Sequence, residues 1–197
     1  MDARTNRSCQ ALTTADWEEL ERALVTQGEA LLQAGAWGLG LEVARGQLFH
    51  AALSPLTGDD ATAAQCRKTV AAVLRAWRGL TPRVLLSLAV EDVAVGGLTA
   101  TDGVALARFF ADAGATLILV RTGAVAMPAR LWPHPPRSPH EEGPSLHAAA
   151  WTRRALPAHV LVIAAGGLVE ERTMAAAVDA GLLDGVVVEE PGAQPPA

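Results

Sequence analysis

The chain has 197 residues, of which half are apolar and 19% are charged, and its formal net charge is −5. This composition is sufficient for one domain with a hydrophobic core and argues against disorder throughout. The negative charge argues against nucleic acid or an anionic membrane surface as the main partner. No apolar run reaches the roughly 18 residues of a transmembrane helix. No secretory signal pattern begins the chain, and the two cysteines predict a reducing, cytoplasmic compartment.

Helical and strand patterns alternate along the chain. Apolar residues at helical spacing predict helices that begin near Thr13, Asp59, Thr99, Ser145 and Val169. Short apolar runs predict strands at Leu39–Val43, Arg83–Val90, Thr116–Val120, His159–Ala164 and Gly185–Val188. The alternation predicts an α/β fold with a parallel sheet and right-handed crossovers. Two architectures fit this pattern: an open five-stranded doubly wound sheet, or part of a TIM (β/α)8 barrel.

Composition divides the chain into one folded domain and two short ends. We predict a flexible N-terminus over residues 1–12, a single domain over residues 13–190, and a disordered tail over residues 191–197. Two long connections separate the predicted elements, at residues 44–60 and 124–144, and the second holds six of the twelve prolines. Connections of this length are more often functional than short ones.

One stretch of sequence resembles a known family. Residues 35–48 read GAWGLGLEVARGQL and residues 53–57 read LSPLT, which is similar to a segment of the old yellow enzyme family of NAD(P)H:flavin oxidoreductases, in particular its members fused to salicylyl-CoA-type hydroxylases. Further matches occur in order at Gly96–Thr99, Asp112–Gly114, Val120–Gly123, Ala165–Leu168 and Ala180–Gly181. The resemblance implies that the five strands correspond to the fourth to eighth strands of the family's FMN-binding barrel, a truncated TIM barrel.

The resemblance also indicates where the family's catalytic groups fall in this chain. The family's paired imidazoles, which hydrogen-bond the activating carbonyl of the substrate, correspond to Glu42 and Arg45. An ionised carboxylate at that point accepts hydrogen bonds only, so it would repel an enolate-like oxygen. Alternatively, Glu42 and Arg45 form an ion pair that replaces the lost ligand contacts.

The positions that bind the flavin in the family are altered as well. The arginine near the flavin N1 and C2 carbonyl corresponds to Ser87, and the phosphate-binding arginine corresponds to Glu190. The pair Gly166 and Gly167 keeps backbone amides that a phosphate could use, and Arg121 lies in a segment that matches the family. The resemblance therefore implies FMN as a cofactor if the family activity survives, and the substitutions lead us to expect none.

Three functions are compatible with these substitutions. We prefer a degenerate relative of the old yellow enzymes that acts as a non-flavin binding or scaffold subunit in oxidative aromatic or polyketide metabolism. The alternatives are an FMN-dependent NAD(P)H oxidoreductase that works with a partner or as an oligomer, and a flavin-free acid/base enzyme that uses Glu42 and Arg45. Because five of eight strands cannot close a barrel, we expect a homo-oligomer or a protein partner to cover the exposed sheet edges.

Other polar residues are further candidates. Five charged residues are predicted to lie on the rim at the C-terminal ends of the strands, either as solvated charges or as a site for a small polar metabolite or a divalent cation: Glu91, Asp92, Arg121, Glu189 and Glu190. His50 is predicted to be a packed or surface histidine. No His–Asp arrangement is predicted around Ser54, so nucleophilic catalysis is not expected. The sequence shows no spacing typical of metal ligands.

Overall fold

A computed structural model describes residues 12–44, 48–92, 95–122, 143–165 and 171–187. Within these ranges the strands are β1 (Leu39–Val43), β2 (Val84–Glu91), β3 (Leu117–Thr122), β4 (Leu161–Ala165) and β5 (Gly185–Val187). The helices are α1 (Thr14–Gln33), α2 (Leu48–Leu53), α3 (Asp60–Leu80), α4 (Ala100–Asp112), α5 (Gly143–Ala155) and α6 (Glu171–Asp179). The predicted strands are all present. β1 has the predicted bounds, and the ends of β2, β3 and β4 are shifted by one or two residues, as is common at element boundaries. The predicted end of the fifth strand, Val188, lies outside the described residues.

The five strands form one open parallel sheet in the order β1-β2-β3-β4-β5. Each new strand is added on the same side of the previous one, so crossovers of one hand place the helices on a single face. A doubly wound sheet reverses its strand order at a switch point, and this sheet has no reversal. The doubly wound alternative is therefore wrong, and the fold is a truncated (β/α)8 barrel with β1 and β5 at its two edges.

The two faces of the sheet differ in burial, because successive residues of a strand point to opposite faces. The helix-covered face is fully packed, with a row of buried residues in register at Leu41, Leu86, Ile118 and Val162. The opposite face corresponds to the interior of a complete barrel, and most of its side chains are half-exposed or exposed. We call it the open face, and it carries Gly40, Glu42, Leu85, Ser87, Ala89, Leu117, Leu119, Arg121, Leu161 and Ile163.

Helix starts follow the capping signals in the sequence. The Thr13 hydroxyl accepts a hydrogen bond from the amide of Asp16, whose carboxylate accepts one in return, and Thr99 and Asp102 repeat this capping box at α4. The two adjacent phenylalanines of α4 differ in burial, since Phe110 lies in the core and Phe109 is 41% exposed.

The connection after β1 contains a short helix that the sequence pattern did not predict. Residues 48–53 form α2, and its apolar side chains pack onto α3 and onto Trp17, whose ring lies 6.3 Å from that of Phe49. Six residues are too few for a helical period to be recognised. The helix carries His50 towards the end of β2.

Candidate functional site

A row of three hydrogen-bonded polar side chains crosses the open face. Arg121 Nε donates to Ser87 Oγ at 3.2 Å, and Ser87 Oγ donates to Glu42 Oε1 at 2.8 Å. The row therefore joins β3, β2 and β1, and it lies near the C-terminal ends of β1 and β3. We call it the polar row. It brings together three of the residues predicted to form the site.

The strand register explains how the polar row forms. Glu42 is directly opposite Ser87, and Arg121 is opposite Ala89, two residues further along β2. The long arginine side chain therefore reaches back diagonally to the serine hydroxyl, which a shorter residue could not do. The amide of Ala44 also donates to Glu42 Oε1, at 2.9 Å. Both the carboxylate and the guanidinium are thus held in fixed positions.

The polar row can act as a binding surface for charged or polar groups. Its carboxylate only accepts hydrogen bonds when ionised, and its guanidinium only donates them. Ser87 is 2% exposed, while Glu42 and Arg121 are half-buried. The arrangement therefore presents both signs of charge at the edge of a partly apolar sheet face.

Five of the predicted site and rim residues lie outside the described part of the chain: Arg45, Gly166, Gly167, Glu189 and Glu190. The ion pair between Glu42 and Arg45 therefore stays a prediction, as does a phosphate site at the two glycines. Of the predicted rim residues, Glu91 is half-buried at the end of β2.

A second polar cluster, which sequence reasoning missed, is buried behind the end of β2. His50 Nε2 lies 2.9 Å from Asp92 Oδ1, and Ser54 Oγ donates to Asp92 Oδ2 at 2.6 Å. The amide of Leu98 donates to the same Oδ2 at 3.0 Å. Asp92 is only 5% exposed, so its expected place as a solvated charge on the rim is wrong. His50 is a packed histidine, as one of the two predicted options had it.

The expectation that no histidine and aspartate surround Ser54 is also wrong, yet the geometry is not that of a nucleophilic triad. In such a triad the hydroxyl donates to the histidine and the histidine donates to the carboxylate. Here the serine hydroxyl donates to the carboxylate of Asp92 itself, and both His50 and Ser54 are buried, at 1% and 0% exposure. The cluster therefore fastens α2 to the loop after β2.

Opposing effects act on the pKa of Asp92. Burial of its carboxyl raises the pKa, and the hydrogen bonds from His50, Ser54 and the Leu98 amide outweigh burial, so that the pKa lies below its ordinary value.

The sequence does hold a signal for this cluster. His50 and Ser54 are four residues apart, the spacing that places two side chains on one side of a helix.

The described residues contain no group of three or more His, Cys, Asp or Glu side chains that could hold a metal ion. Over the same ranges, none of the helices combines the length and apolar character needed to cross a bilayer.

Three oxidoreductases are among the solved structures that resemble this chain. 2-Naphthoyl-CoA reductase in complex with 2-naphthoyl-CoA matches 89% of the chain with a TM-score of 0.74 and 19% identity. The 6-hydroxypseudooxynicotine amine oxidase of Pseudomonas geniculata matches 91% with a TM-score of 0.70 and 20% identity. A morphinone reductase variant in complex with tetrahydroNAD matches 89% with a TM-score of 0.60 and 15% identity. The chain shares the fold of these old-yellow-enzyme-like oxidoreductases.

The likeness covers only part of each neighbour. This chain spans 27%, 27% and 46% of the three chains, respectively. Because the neighbours are TIM-barrel proteins, the match agrees with a five-stranded part of such a barrel. No family model matches the chain, and no curated protein matches its sequence. At these identities the comparison establishes the fold alone.

Proposed function

We propose that this chain is a degenerate old-yellow-enzyme-like subunit that binds a ligand or a partner without holding flavin. The observation that carries the proposal is the carboxylate of Glu42, which two hydrogen bonds hold in place on the open face. The sequence resemblance places an imidazole donor at this position. A fixed carboxylate there supplies an acceptor where an electron-rich substrate oxygen needs a donor.

The neighbouring position supports the same proposal. Ser87 stands where the resemblance places an arginine near the flavin, and its hydroxyl is occupied as an acceptor from Arg121 and as a donor to Glu42. A neutral hydroxyl cannot balance the negative charge of a reduced flavin. The fit of the described residues to FMN is therefore poor at two adjacent strands.

The open face supports association with another polypeptide. Leu161 and Val187 are 45% and 38% exposed on strands at or next to one edge of the sheet. Among the described residues, no element covers this face or pairs with the outer edges of β1 and β5. Exposed apolar side chains and strand edges of this kind favour association. We propose that a second copy or a strand-supplying partner protein covers this face. The role would be that of a binding or scaffold subunit in oxidative aromatic or polyketide metabolism.

One observation favours a second candidate function, an FMN-dependent NAD(P)H oxidoreductase that works with a partner or as an oligomer. Arg121 places its guanidinium within 3.2 Å of the Ser87 hydroxyl. It could thus supply, from the next strand, the cation that the resemblance expects at Ser87. In that case FMN would bind the wild-type protein, and the change Arg121→Gln would weaken its binding.

An FMN titration with matched variants tests the proposal. We expect no binding to the wild type, and a gain in affinity for FMN in the variant Glu42→Gln, because the substitution removes a negative charge and adds an amide N–H donor. The variant Glu29→Gln, at an exposed position of α1, should behave as the wild type. Tight binding of FMN to the wild type that weakens in Arg121→Gln would refute the proposal and support the alternative.

Light scattering tests the association. We expect the wild type to form an oligomer or a complex that the variant Leu161→Glu weakens. Leu31 provides the control, since it is 47% exposed on α1, away from the open face, so Leu31→Glu should leave assembly unchanged. A wild-type monomer that is stable to dilution and shows no partner would contradict this part of the proposal.

A further inference from the structure

A groove runs between α5 and α6, in the helical layer on the side of the sheet opposite to the open face. Helix α5 packs against α4, β3 and β4, whereas its contact with α6 is sparse. Ala150, Ala176 and Ala177 line the groove, and their side chains are too short to fill the space between the two helices. The groove has a volume of about 620 Å³, which is within the range of small-molecule sites.

Apolar side chains form the walls of this groove. Trp151 is 43% exposed and Leu182 is 38% exposed, and both line the groove together with the half-buried Leu146. The ring of His147 lies against that of Trp151, with the ring centroids 5.1 Å apart. The two residues are four positions apart and are therefore neighbours on one side of α5. An indole held in this way offers a flat apolar surface to the ring of a ligand.

The charged group that lines the groove is positive. The guanidinium of Arg154 lies in the last turn of α5, and no aspartate or glutamate of the described residues lines the groove. The chain as a whole carries a net charge of −5, so the sign of the charge in the groove is opposite to that of the molecule. An anionic group is the complement of this lining.

The positions of these side chains along the helices give the groove two ends. Because α5 and α6 each connect parallel strands, they run in the same direction. Arg154, at the end of α5, and Leu182, which follows α6, therefore lie at one end of the groove, and Trp151 lies towards its middle. From Leu146 to Arg154 the groove extends over eight residues of α5, or about 12 Å. This length accommodates one or two aromatic rings that carry a short acidic side chain.

We propose that the groove between α5 and α6 binds a small aromatic carboxylate. The carboxylate pairs with Arg154, and the ring packs on the indole of Trp151, above the alanines that form the floor. A neutral aromatic compound would gain no charge-assisted contact with Arg154, and an aliphatic acid would gain less from the indole. The site goes beyond the proposed function, because it requires neither the absence of flavin nor an uncovered open face.

Calorimetric titration of the full chain with three related compounds tests the chemical class. The compound 1-naphthylacetate has both the ring and the charge, 1-naphthylacetamide keeps the ring and loses the charge, and octanoate keeps the charge and loses the ring. We expect 1-naphthylacetate to bind, and each of the other two to bind on the order of tenfold more weakly, since each lacks either the charge-assisted contact or the aromatic packing.

Two variants assign the two parts of the ligand. Arg154→Gln should weaken the binding of 1-naphthylacetate on the order of tenfold and leave that of 1-naphthylacetamide unchanged. Trp151→Leu should weaken the binding of both naphthyl compounds, because it removes the surface on which the ring packs. The matched controls are Arg75→Gln on α3 and Trp37→Leu before β1, both at exposed positions outside the groove, and they should bind 1-naphthylacetate as the wild type does.

A third variant blocks the groove without disturbing the fold. Ala176 and Ala175 are both exposed on α6, but only Ala176 lines the groove. Leucine is nearly as good a helix former as alanine, so Ala176→Leu should fold normally and abolish the binding of 1-naphthylacetate. Ala175→Leu is the control and should leave binding unchanged.

The outcomes distinguish this inference from the proposed function. It is overturned if 1-naphthylacetate does not bind, if either analogue binds as tightly, or if Ala176→Leu and Ala175→Leu bind it equally well. A failure to bind, combined with weaker assembly of Ala176→Leu in light scattering, would show that the groove holds a protein helix instead. The FMN titration tests the proposed function separately, because its variants lie on the open face.

Discussion

The buried carboxylate of Asp92 provides a stringent test of how the loop after β2 is held. We consider the change Asp92→Ala. It removes the acceptor for Ser54 Oγ at 2.6 Å, for the Leu98 amide at 3.0 Å and for His50 Nε2 at 2.9 Å. The side chain of Asp92 is fully shielded from solvent, and His50 and Ser54 are also buried. Water therefore cannot easily replace the lost acceptor.

The size of the effect follows from the groups left behind. Each buried donor without an acceptor costs about 1–3 kcal/mol, and part of this is offset because a charge no longer has to be buried. We expect a net loss of about 3–5 kcal/mol in the free energy of unfolding, which is a large share of the 5–15 kcal/mol typical of a domain.

Urea denaturation followed by circular dichroism measures this loss. With an m-value of about 2 kcal/mol/M, the midpoint should fall by about 2 M. The matched control is Asp179→Ala, since Asp179 is an exposed aspartate at the end of α6, and its midpoint should stay close to that of the wild type. If Asp92→Ala lowers the free energy of unfolding by less than about 1 kcal/mol, the buried hydrogen bonds of Asp92 are no stronger than a solvent-exposed contact, and the prediction is wrong.

Three further predictions concern stability. The pKa of Asp92 is lower in the folded chain than in the unfolded one, so the contribution of its charge to the free energy of unfolding is complete above about pH 4 and is lost as the pH falls through the folded pKa. In urea melts between pH 5 and pH 3, Asp92→Ala should therefore lose stability less steeply than the wild type. Parallel curves for the two proteins would contradict this. A Cβ on Gly103 would lie 1.8 Å from Val90 O, whereas a Cβ on Gly79 would meet nothing within 4 Å. Gly103→Ala should therefore lower the thermal midpoint, and Gly79→Ala should raise the free energy of unfolding by about 0.5–1 kcal/mol. Equal effects of the two changes would rule out the close approach of α4 to β2. Thr99→Ala removes a capping box and should cost about 1 kcal/mol in the same melts, with no change counting against the cap.

Local signals in the sequence were sufficient to predict most of the helices and strands. Thr13 and Thr99 cap α1 and α4, as acids and hydroxyls at the start of each apolar period indicated. The continuous apolar run of β2 is buried on both sides for most of its length, as a strand in a parallel sheet should be. What these patterns could not decide was the strand order, because the alternation of helices and strands is the same in a doubly wound sheet and in a barrel.

The contacts of the candidate site could be predicted only in part, for physical reasons. The resemblance indicated Glu42, Ser87 and Arg121 separately, but the hydrogen bonds that join them depend on a register and on a diagonal reach that no spacing along the chain reveals. Asp92 was expected on the rim because it follows the C-terminal end of the second predicted strand. Its burial is stabilised by hydrogen bonds from His50 and Ser54, which lie 42 and 38 residues earlier in the chain, and from the Leu98 amide.

The proposal that this chain holds no flavin is best examined through the visible spectrum of the purified full chain, recorded after incubation with excess FMN and removal of the unbound portion. We expect no absorbance band at about 450 nm, because neither the Glu42 carboxylate nor the Ser87 hydroxyl supplies a positive charge to a reduced flavin. A band that corresponds to one FMN per chain would contradict it.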